Sequence, residues 1–308
     1  MDKSFDIIVT VYNTAPKYLS RCLDSIVSLE YDNFSLTIVD DCSTNIETIS
    51  FLKGVKERYS DKGIEIEIIY SKSNGGVGQA RNIGLKNSKK DLVWFIDSDD
   101  RISKPDALVI INQYWQKFPN IDILSFAITS YDDTDFDKPV LKHRKHTTCF
   151  PTPTSIENYV DGCKDKPGVW SKVYNRLFLL ENNLMFSNKN IYGEDVYHMI
   201  ITYSKSNNIM FVKDCLYDYF IHSNTLTTGR TAYKRALELL EFNKEGYEFI
   251  KNDHTFISDN FDKFFNVFFY VRCFDIFAQG KDNDKQSIAL VKEKAEEFYQ
   301  KLLKQKNS

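Results

Sequence analysis

Short apolar runs alternate with helically spaced apolar positions through the first 130 residues of the chain. Runs of this length predict buried strands, and apolar side chains three and four residues apart predict helices that cover the strands. The predicted strands are Phe5–Val11, Leu36–Val39, Ile64–Tyr70, Leu92–Ile96 and Ile121–Phe126. The predicted helices are Leu19–Val27, Ile46–Arg58, Gln79–Asn87 and Asp106–Phe118. Alternating strands and helices predict parallel strands joined by crossover helices, and hence a three-layer α/β sandwich.

The pattern loosens from about Tyr131 to Gly168, where charges and prolines break the periodicity. Beyond about Arg230 the chain is predicted to be helical to its end. The elements predicted between these two regions are a regular segment at Trp170–Leu180, a helix at Asp195–Tyr203, and two short strands at Ile209–Val212 and Leu216–Phe220. We therefore expect an α/β domain over residues 1–230, in halves of about 1–130 and 131–230, followed by a helical region over 231–308.

One predicted C-terminal helix is unusually aromatic. Its apolar face is formed by five phenylalanines at positions i, i+3, i+4, i+7 and i+8, namely Phe261, Phe264, Phe265, Phe268 and Phe269. Tyr270, Phe274 and Phe277 widen this face nearly all round, so the helix must be buried in the fold, against a second subunit or at a membrane. Nearby aspartates weaken the basic face that anionic lipid would favour. The sequence therefore favours a homodimer over peripheral membrane contact.

The composition restricts the class of protein. The net charge is −3, whereas a surface that binds nucleic acid normally carries an excess of basic residues. The six cysteines are scattered without a CxxC pair, so neither a zinc ribbon nor a disulfide framework is indicated. The N-terminal apolar run is too short for a signal peptide, and no apolar stretch reaches the ~18 residues that would span a bilayer. We expect a cytoplasmic protein without a nucleic-acid partner, with contact at the inner face of the membrane left open.

Three polar clusters follow the predicted strands, and their residues are Thr10-Val11-Tyr12-Asn13, Asp40-Asp41-Cys42-Ser43 and Asp97-Ser98-Asp99-Asp100. Each cluster alone could be a helix N-cap or a turn. The carboxyl ends of parallel strands, however, lie at one edge of a sheet, where such folds bind ligands. The sequence therefore predicts that the three clusters converge on a binding site.

The segment Asp97–Asp100 carries three carboxylates in four residues. Such carboxylates repel one another, and a divalent cation would remove that penalty. Oxygen ligands of this kind suit Mg²⁺ or Mn²⁺, which proteins usually bind through one or two carboxylates together with phosphate oxygens. A solvated turn is the alternative.

A glycine-rich turn precedes the third helix. Gly76-Val77-Gly78 resembles the start of a dinucleotide-binding fingerprint, but Arg81 stands where the third glycine would be. The arginine would block the close packing of helix on strand that glycine permits. A turn in which Arg81 faces phosphate oxygens is the better interpretation.

Together these segments resemble the inverting family 2 glycosyltransferases of the GT-A fold. The matching segments are IIVTVYN, IVDDCST, NGGVGQARNIGL and WFIDSDD, and further on GVWSKVYNRLFLLENNLMF and YGEDVYHM resemble acceptor-side segments of bacterial polysaccharide and teichoic-acid transferases. The resemblance runs from about Ser4 to Gly229. Two residues depart from it: Cys42, where glycine is usual, and Phe220, where a basic residue is common.

The resemblance implies a nucleotide-binding half over about 1–130, an acceptor half over about 131–230, and a role for each matching residue. Tyr12 would stack on the base, Asp41 would accept a hydrogen bond from uracil, and Arg81 would hold the sugar or phosphates. The donor site would comprise Thr10, Tyr12, Asn13, Asp41, Arg81, Asp97 and Ser98. Mn²⁺ or Mg²⁺ would be bound by Asp99 or Asp100, with His222 nearby in a mobile loop that also carries Thr225 and Thr227. A UDP-sugar is the implied donor.

On the acceptor side, the resemblance makes Asp195 the general base of a single displacement. Glu194 would contact the acceptor, and Trp170 and Lys172 would line its pocket. The alternatives are that the two acids only stabilise the start of the helix and that Trp170 is core. The expected activity is hexosyl transfer to a hydroxyl of a surface polysaccharide, a glycolipid or a similar carbohydrate or lipid-linked acceptor.

Other functions remain open from the sequence. A sugar-nucleotide pyrophosphorylase or nucleotidyltransferase would need a basic glycine-rich loop after the first strand, which Tyr12–Pro16 does not supply. A catalytically inactive sugar-nucleotide binder is a third alternative, against which the retained acidic residues argue. The His143, His146 and Cys149 spacing offers three zinc ligands, where a structural site normally has four.

Overall fold

The computed structural model describes residues 1–132, 135–144, 152–155, 168–222, 231–279 and 285–306. The chain divides into two compact units. The first comprises residues 1–155, 168–190 and 207–221, and the second comprises 156–167, 191–206 and 222–308. The boundary near residue 230 expected from the sequence stays a prediction.

The first unit begins with four strands alternating with helices. The strands are β1 (Phe5–Val11), β2 (Phe34–Asp40), β3 (Glu65–Tyr70) and β4 (Leu92–Asp97). The helices are α1 (Pro16–Val27), α2 (Ile46–Arg58), α3 (Val77–Asn87) and, after the short strand β5 (Arg101–Ile102), α4 (Ala107–Lys117). The first four strands lie in the order β3-β2-β1-β4 and are parallel, as the alternating pattern predicts.

The rest of the described sheet is mixed. Its remaining strands are β6 (Ile123–Asp132), β7 (Asp135–Arg144), β8 (Lys172–Asn175) and β9 (Ile209–Ile221), and the helix α5 (Arg176–Glu181) follows β8. Strand β8 pairs antiparallel with both β4 and β6, whereas β9 is parallel to β6 and antiparallel to β5. The expectation of two short strands after Ile209 is wrong, because β9 is continuous and absorbs the polar residues between its apolar halves at a shift in register.

Helices cover both faces of the parallel strands. Ile7 and Val9 of β1 face a core shared with Leu23 of α1 and Ile111 of α4. On the other face α3 approaches closely, because a Cβ added at Gly84 would lie 2.4 Å from Ile8 Cγ2. The three-layer sandwich predicted from the sequence is confirmed.

The second unit is helical in its described part. Its helices are α6 (Glu194–Lys205), α7 (Ala232–Ile250), α8 (Phe256–Asp259), α9 (Phe261–Phe265), α10 (Arg272–Gln279) and α11 (Lys285–Lys306), with a π-helical segment at Asn266–Val271 between α9 and α10. None of the helices in the described ranges combines the length and apolar character needed to cross a bilayer.

The five phenylalanines predicted to form an apolar face are all buried within this unit. The rings of Phe265 and Phe269 stack at 5.0 Å, and Phe298 of α11 packs edge-on against Phe265 at 5.2 Å. Tyr247 of α7 covers Phe261 at 5.0 Å. Helices of the same unit therefore bury this aromatic face, which the sequence analysis expected to need a second partner surface. The homodimer stays a prediction, but the aromatic face no longer supports it.

Candidate functional site

The ends of β1, β2 and β4 lie side by side, because Thr10 of β1 pairs with Val39 on one side and with Asp97 on the other. The segments that follow are also linked by side chains, since the hydroxyls of Thr14 and Ser98 lie 2.7 Å apart. The predicted convergence of the three polar clusters at one sheet edge is confirmed.

Asn13 joins the first cluster to the second. Its backbone adopts a left-handed conformation (φ 53°), a region that asparagine tolerates better than most residues. Its side-chain oxygen accepts hydrogen bonds from the backbone N–H groups of Thr44, at 2.7 Å, and Asn45, at 2.8 Å. Its own N–H donates to the Ser43 hydroxyl at 2.8 Å. These bonds fix the loop beside Tyr12, whose side chain is 50% exposed and presents an aromatic surface at this edge.

Asp41 holds the glycine turn that leads into α3. Its two carboxylate oxygens accept hydrogen bonds from the N–H groups of Gly75, at 2.9 Å, and Gly76, at 2.8 Å. Burial raises the pKa of Asp41, and these two bonds act in the opposite direction. Gly76 has a φ of 85° and lies against Asn190, so a side chain at this position would be strained and would clash. The carboxylate thus supports the turn.

Cys42, one of the two departures from the family pattern, has the backbone conformation of a glycine. Its φ is 62°, in the left-handed region that favours glycine, so the residue usual in the family is also the residue that this backbone prefers.

Arg81 pairs with the acidic cluster. Its Nη2 lies 2.8 Å from Asp97 Oδ1, the side chain is 3% exposed, and the guanidinium lies over the Phe186 ring. The turn before α3 therefore brings Arg81 to Asp97 as its basic partner from 16 positions earlier. The contact of Arg81 with phosphate or sugar stays a prediction.

Asp100 is buried and hydrogen-bonded within the protein. It is 1% exposed and accepts hydrogen bonds from the Tyr217 hydroxyl at 2.8 Å and the Phe220 N–H at 2.7 Å. Burial, followed by the negative charges of Asp99 and Asp97, raises the pKa of Asp100 well above its usual range. Asp99 is partly exposed, and Arg21 donates to its backbone oxygen. The three carboxylates thus differ: one is paired with arginine, one is hydrogen-bonded in the interior, and Asp99 reaches the surface.

These carboxylates could supply only part of the coordination shell of a divalent cation. Among the described residues, no three side chains of His, Cys, Asp or Glu are grouped so that they could enclose a metal ion. A site with one protein carboxylate, completed by phosphate oxygens and water, is compatible with the preferences of Mg²⁺.

Trp170 lies in the short 3₁₀ turn that precedes β8, and Lys172 is the first residue of that strand. The Trp170 ring lies nearly parallel to those of Tyr217, at 5.1 Å, and Tyr219, at 5.3 Å, and it remains partly exposed. Lys172 is 1% exposed and donates to the Gly168 carbonyl at 3.2 Å, so it caps the preceding turn from the interior. Trp170 thus has surface to offer an acceptor, whereas Lys172 does not in this conformation.

The remaining predicted residues belong to the second unit. Glu194 and Asp195 form the first turn of α6, which starts after Gly193 in a left-handed conformation (φ 103°). Burial raises the pKa of the adjacent Tyr192 to about 12, with Asp195 contributing in the same direction. His222 is buried. Thr225, Thr227, His146, Cys149 and the side chain of His143 lie outside the described residues.

Sequence reasoning missed the contribution of β9 to the site. The Tyr217 hydroxyl donates to Asp100 and also accepts from the Asp97 N–H at 3.2 Å, so one side chain holds both ends of the acidic segment. Asp218 accepts from Arg101 at 2.8 Å and from the Ser103 hydroxyl at 2.9 Å. The alternation of polar and aromatic residues along β9 was the available signal, but its partners lie about 120 positions away.

Comparison with known proteins agrees with this geometry. Over 225 residues, the chain is 25% identical to poly(ribitol-phosphate) β-N-acetylglucosaminyltransferase TarS of Staphylococcus aureus, in a match that covers 70% of this chain and 35% of that protein. The chain spans about a third of the length of the first curated relatives that it matches.

Two solved structures share the fold. The structure of S. aureus TarS residues 1–349 in complex with UDP-GlcNAc has a TM-score of 0.69 at 21% identity, over 91% of this chain and 74% of that one. A mannosyltransferase of Pyrobaculum calidifontis in complex with GDP-Man and Mn²⁺ has a TM-score of 0.61 at 15% identity, over 100% and 84% of the two chains. These are GT-A glycosyltransferases, so the fold expected from the resemblance is confirmed.

The sequence model of Glycosyl transferase family 2 matches residues 6–174, which contain all three polar clusters, the glycine turn and Arg81. A match over more than half of the chain, on the segments that build the sheet edge, identifies the chain as a member of glycosyltransferase family 2.

Proposed function

We propose that the chain transfers a sugar from a UDP-sugar to an acceptor hydroxyl, with inversion at the anomeric carbon and with the help of a divalent cation. The observation that carries this proposal is the convergence of three polar loops at one sheet edge, where Arg81, Asp97 and Asp99 form a charged group beside the exposed Tyr12. Such an edge supplies a stacking surface for a base and charges suited to a diphosphate.

The nucleotide occupies the loops after β1 and β2 in this proposal. Tyr12 stacks on the base, and Asp41 accepts from a uracil N–H with the lone pairs that Gly75 and Gly76 leave over. Thr10, Asn13 and Ser98 shape the floor of the same site. Support for uridine comes from TarS, whose structures include complexes with UDP-GlcNAc and with UDP.

Asp99 is the metal ligand in this proposal, because it is partly exposed, whereas Asp100 is buried and accepts hydrogen bonds from Tyr217 and Phe220. The cation, when bound, stabilises the negative charge that develops on the leaving diphosphate. The mannosyltransferase complex, which holds Mn²⁺ together with GDP-Man, supports a divalent cation in this fold. The participation of His222 in this site stays a prediction.

Asp195 acts as the general base. A single displacement requires a carboxylate that takes the proton of the attacking hydroxyl. Such general-base catalysis typically raises the reaction rate by about 10²–10⁴-fold. Gly193 permits the sharp entry into α6 that places Glu194 and Asp195 in its first turn. Glu194 contacts the acceptor in this proposal.

The acceptor is a surface polymer or lipid-linked carbohydrate, and transfer takes place in the cytoplasm or at the inner face of its membrane. The relatives support this assignment, since they include a transferase acting on poly(ribitol phosphate) and a teichoic acid poly(glycerol phosphate) polymerase. Trp170 offers an aromatic face for a sugar ring of this acceptor.

The proposal is tested by thermal unfolding of the intact protein with a panel of nucleotide sugars, each with Mn²⁺ and with EDTA. Ligand at 100 times its Kd stabilises the folded state by about 2.7 kcal/mol. We expect UDP-sugars to raise the unfolding midpoint when Mn²⁺ is present but not when EDTA is present. If UDP-sugars stabilise the protein equally with Mn²⁺ and with EDTA, metal dependence is excluded. If no UDP-sugar stabilises it, the assigned donor is wrong.

A further inference from the structure

The acidic segment Asp97–Asp100 forms a tight turn, closed by a hydrogen bond from the Asp100 N–H to the Asp97 carbonyl at 3.1 Å. Strand β9 binds the buried carboxylate of this turn through the Tyr217 hydroxyl and the Phe220 N–H. The backbone carbonyls of the turn are contacted by a different element, helix α1. Two elements of the first unit, far apart in the sequence, therefore hold the segment.

Consecutive residues of α1 contact the turn. Arg21 donates from Nη2 to the carbonyl oxygen of Asp99, and Cys22 Sγ lies 3.7 Å from the carbonyl oxygen of Asp97. A thiol is a weak donor, whereas a guanidinium forms charge-assisted hydrogen bonds that are roughly twice as strong as neutral ones. Of these two contacts, the one from Arg21 therefore holds the turn more firmly.

The ring of Phe220 lies against the guanidinium that makes this contact. The guanidinium carbon of Arg21 is 3.4 Å from the centroid of that ring, and Phe220 is 1% exposed. A planar guanidinium stacks well on an aromatic face, and the attraction grows when water is excluded. The Phe220 N–H also donates to Asp100 at 2.7 Å. One residue of β9 thus contacts both the acidic turn and the arginine of α1 that reaches the turn.

Holding the carbonyl of Asp99 also holds the plane of the peptide that joins it to Asp100, because that bond does not rotate freely. Asp99 is partly exposed, and the direction of its side chain depends on this backbone. From these contacts we infer that Arg21 is a positioning residue for Asp99, which it orients through the backbone with Phe220 as its support. The inference rests on the proposed function for the role of Asp99 as the metal ligand.

The test removes this contact and compares a matched change on the same helix. Arg21→Met deletes the guanidinium, and Lys17→Met deletes a positive charge at an exposed position about one turn earlier in α1. The signal of free Mn²⁺ in electron paramagnetic resonance gives the Kd of Mn²⁺ for the intact protein at saturating UDP. We expect this Kd to rise about tenfold or more in Arg21→Met and to stay within about twofold in Lys17→Met.

Two further variants separate positioning from stability. Arg21→Lys keeps the charge and a donor but loses the planar fork, so we expect it to recover part of the lost Mn²⁺ affinity. Phe220→Leu removes the ring but keeps the N–H that binds Asp100. Its Kd should rise about threefold or more, and combining it with Arg21→Met should raise the Kd no further, because the ring acts through the arginine.

An Arg21→Met protein that unfolds more readily but binds Mn²⁺ like the parent would overturn the inference, since Arg21 would then only stabilise the fold. Equal Kd values in Arg21→Met and Lys17→Met would also overturn it. If Arg21→Met does not fold, an unchanged Kd in Phe220→Leu has the same meaning. If the parent binds UDP equally with Mn²⁺ and with EDTA, the proposed metal dependence fails and the inference with it. If the parent requires Mn²⁺ and the Arg21→Met variant keeps its affinity for the ion, the inference alone fails.

Discussion

At the scale of single residues, the three neighbouring carboxylates have three different environments. Asp97 is neutralised by Arg81, Asp100 is held by two donors in the interior, and Asp99 reaches the surface. Sequence alone left the choice of metal ligand between Asp99 and Asp100 open, because the partners of Asp100 come from a strand about 120 positions later in the chain. These environments predict a metal-binding role for Asp99 and a structural role for Asp100.

Two isosteric substitutions test that separation. We expect Asp99→Asn to weaken Mn²⁺-supported UDP binding by about tenfold or more, since a charged ligand of the cation is lost. Asp100→Asn should mainly lower the free energy of unfolding, by about 1–3 kcal/mol, because the amide cannot satisfy both donors equally well. Isothermal titration and chemical denaturation of both variants provide the measurements. The assignment is wrong if Asp100→Asn abolishes the effect of Mn²⁺ while Asp99→Asn preserves it.

Cys42 offers a test of backbone strain at the same edge. A side chain in the left-handed region costs about 1–2 kcal/mol, which Cys42→Gly relieves at the expense of a more flexible unfolded chain. We expect Cys42→Gly to leave the free energy of unfolding within about 1 kcal/mol of the parent or above it. Cys42→Val, branched at Cβ, should lower it by about 1–2 kcal/mol. Urea denaturation compares the three proteins, and a more stable valine variant would contradict the account.

At the scale of elements, the parallel strands were predictable and β9 was not. Strands β1, β2 and β4 are buried on both faces, so apolar residues predominate in each of them. In β9 the residues Lys213, Asp214 and Cys215 interrupt the apolar pattern where the strand shifts register against β6. Local periodicity cannot reveal such a shift, because the shift depends on the neighbouring strand. For the same reason the sequence located the polar loops but not the side chains that fix them.

The Tyr217 hydroxyl tests whether β9 holds the acidic segment in place. In Tyr217→Phe the N–H of Asp97 loses its acceptor and Asp100 loses a donor, whereas the ring can still stack on Trp170. We expect a loss of about 1–3 kcal/mol in the free energy of unfolding and weaker UDP binding with Mn²⁺. Tyr219→Phe, in the same aromatic stack, is the control. Equal behaviour of the two variants would mean that the hydroxyl of Tyr217 does not position the segment.

At the scale of the whole molecule, the five phenylalanines of α9 and the following π-helical segment are buried by α7 and α11 of the same unit. Phe265→Ala should therefore cost about 3–5 kcal/mol at any protein concentration. Leu290→Ala, at an exposed position of α11, should change stability little. Thermal unfolding over a hundredfold range of concentration is the measurement. A midpoint for the parent protein that rises with concentration would instead indicate that subunits share this surface.

The central claim, an inverting transfer with Asp195 as base, is tested most directly by following the anomeric configuration of the product. The intact protein is given an α-linked UDP-sugar and Mn²⁺, and early proton NMR spectra record the sugar released to water or to an added polyol phosphate. We expect the β anomer to form first, and Asp195→Asn to reduce the rate by about 10²-fold or more while UDP-sugar affinity is retained. Initial formation of the α anomer, or near-normal turnover in Asp195→Asn, would contradict it.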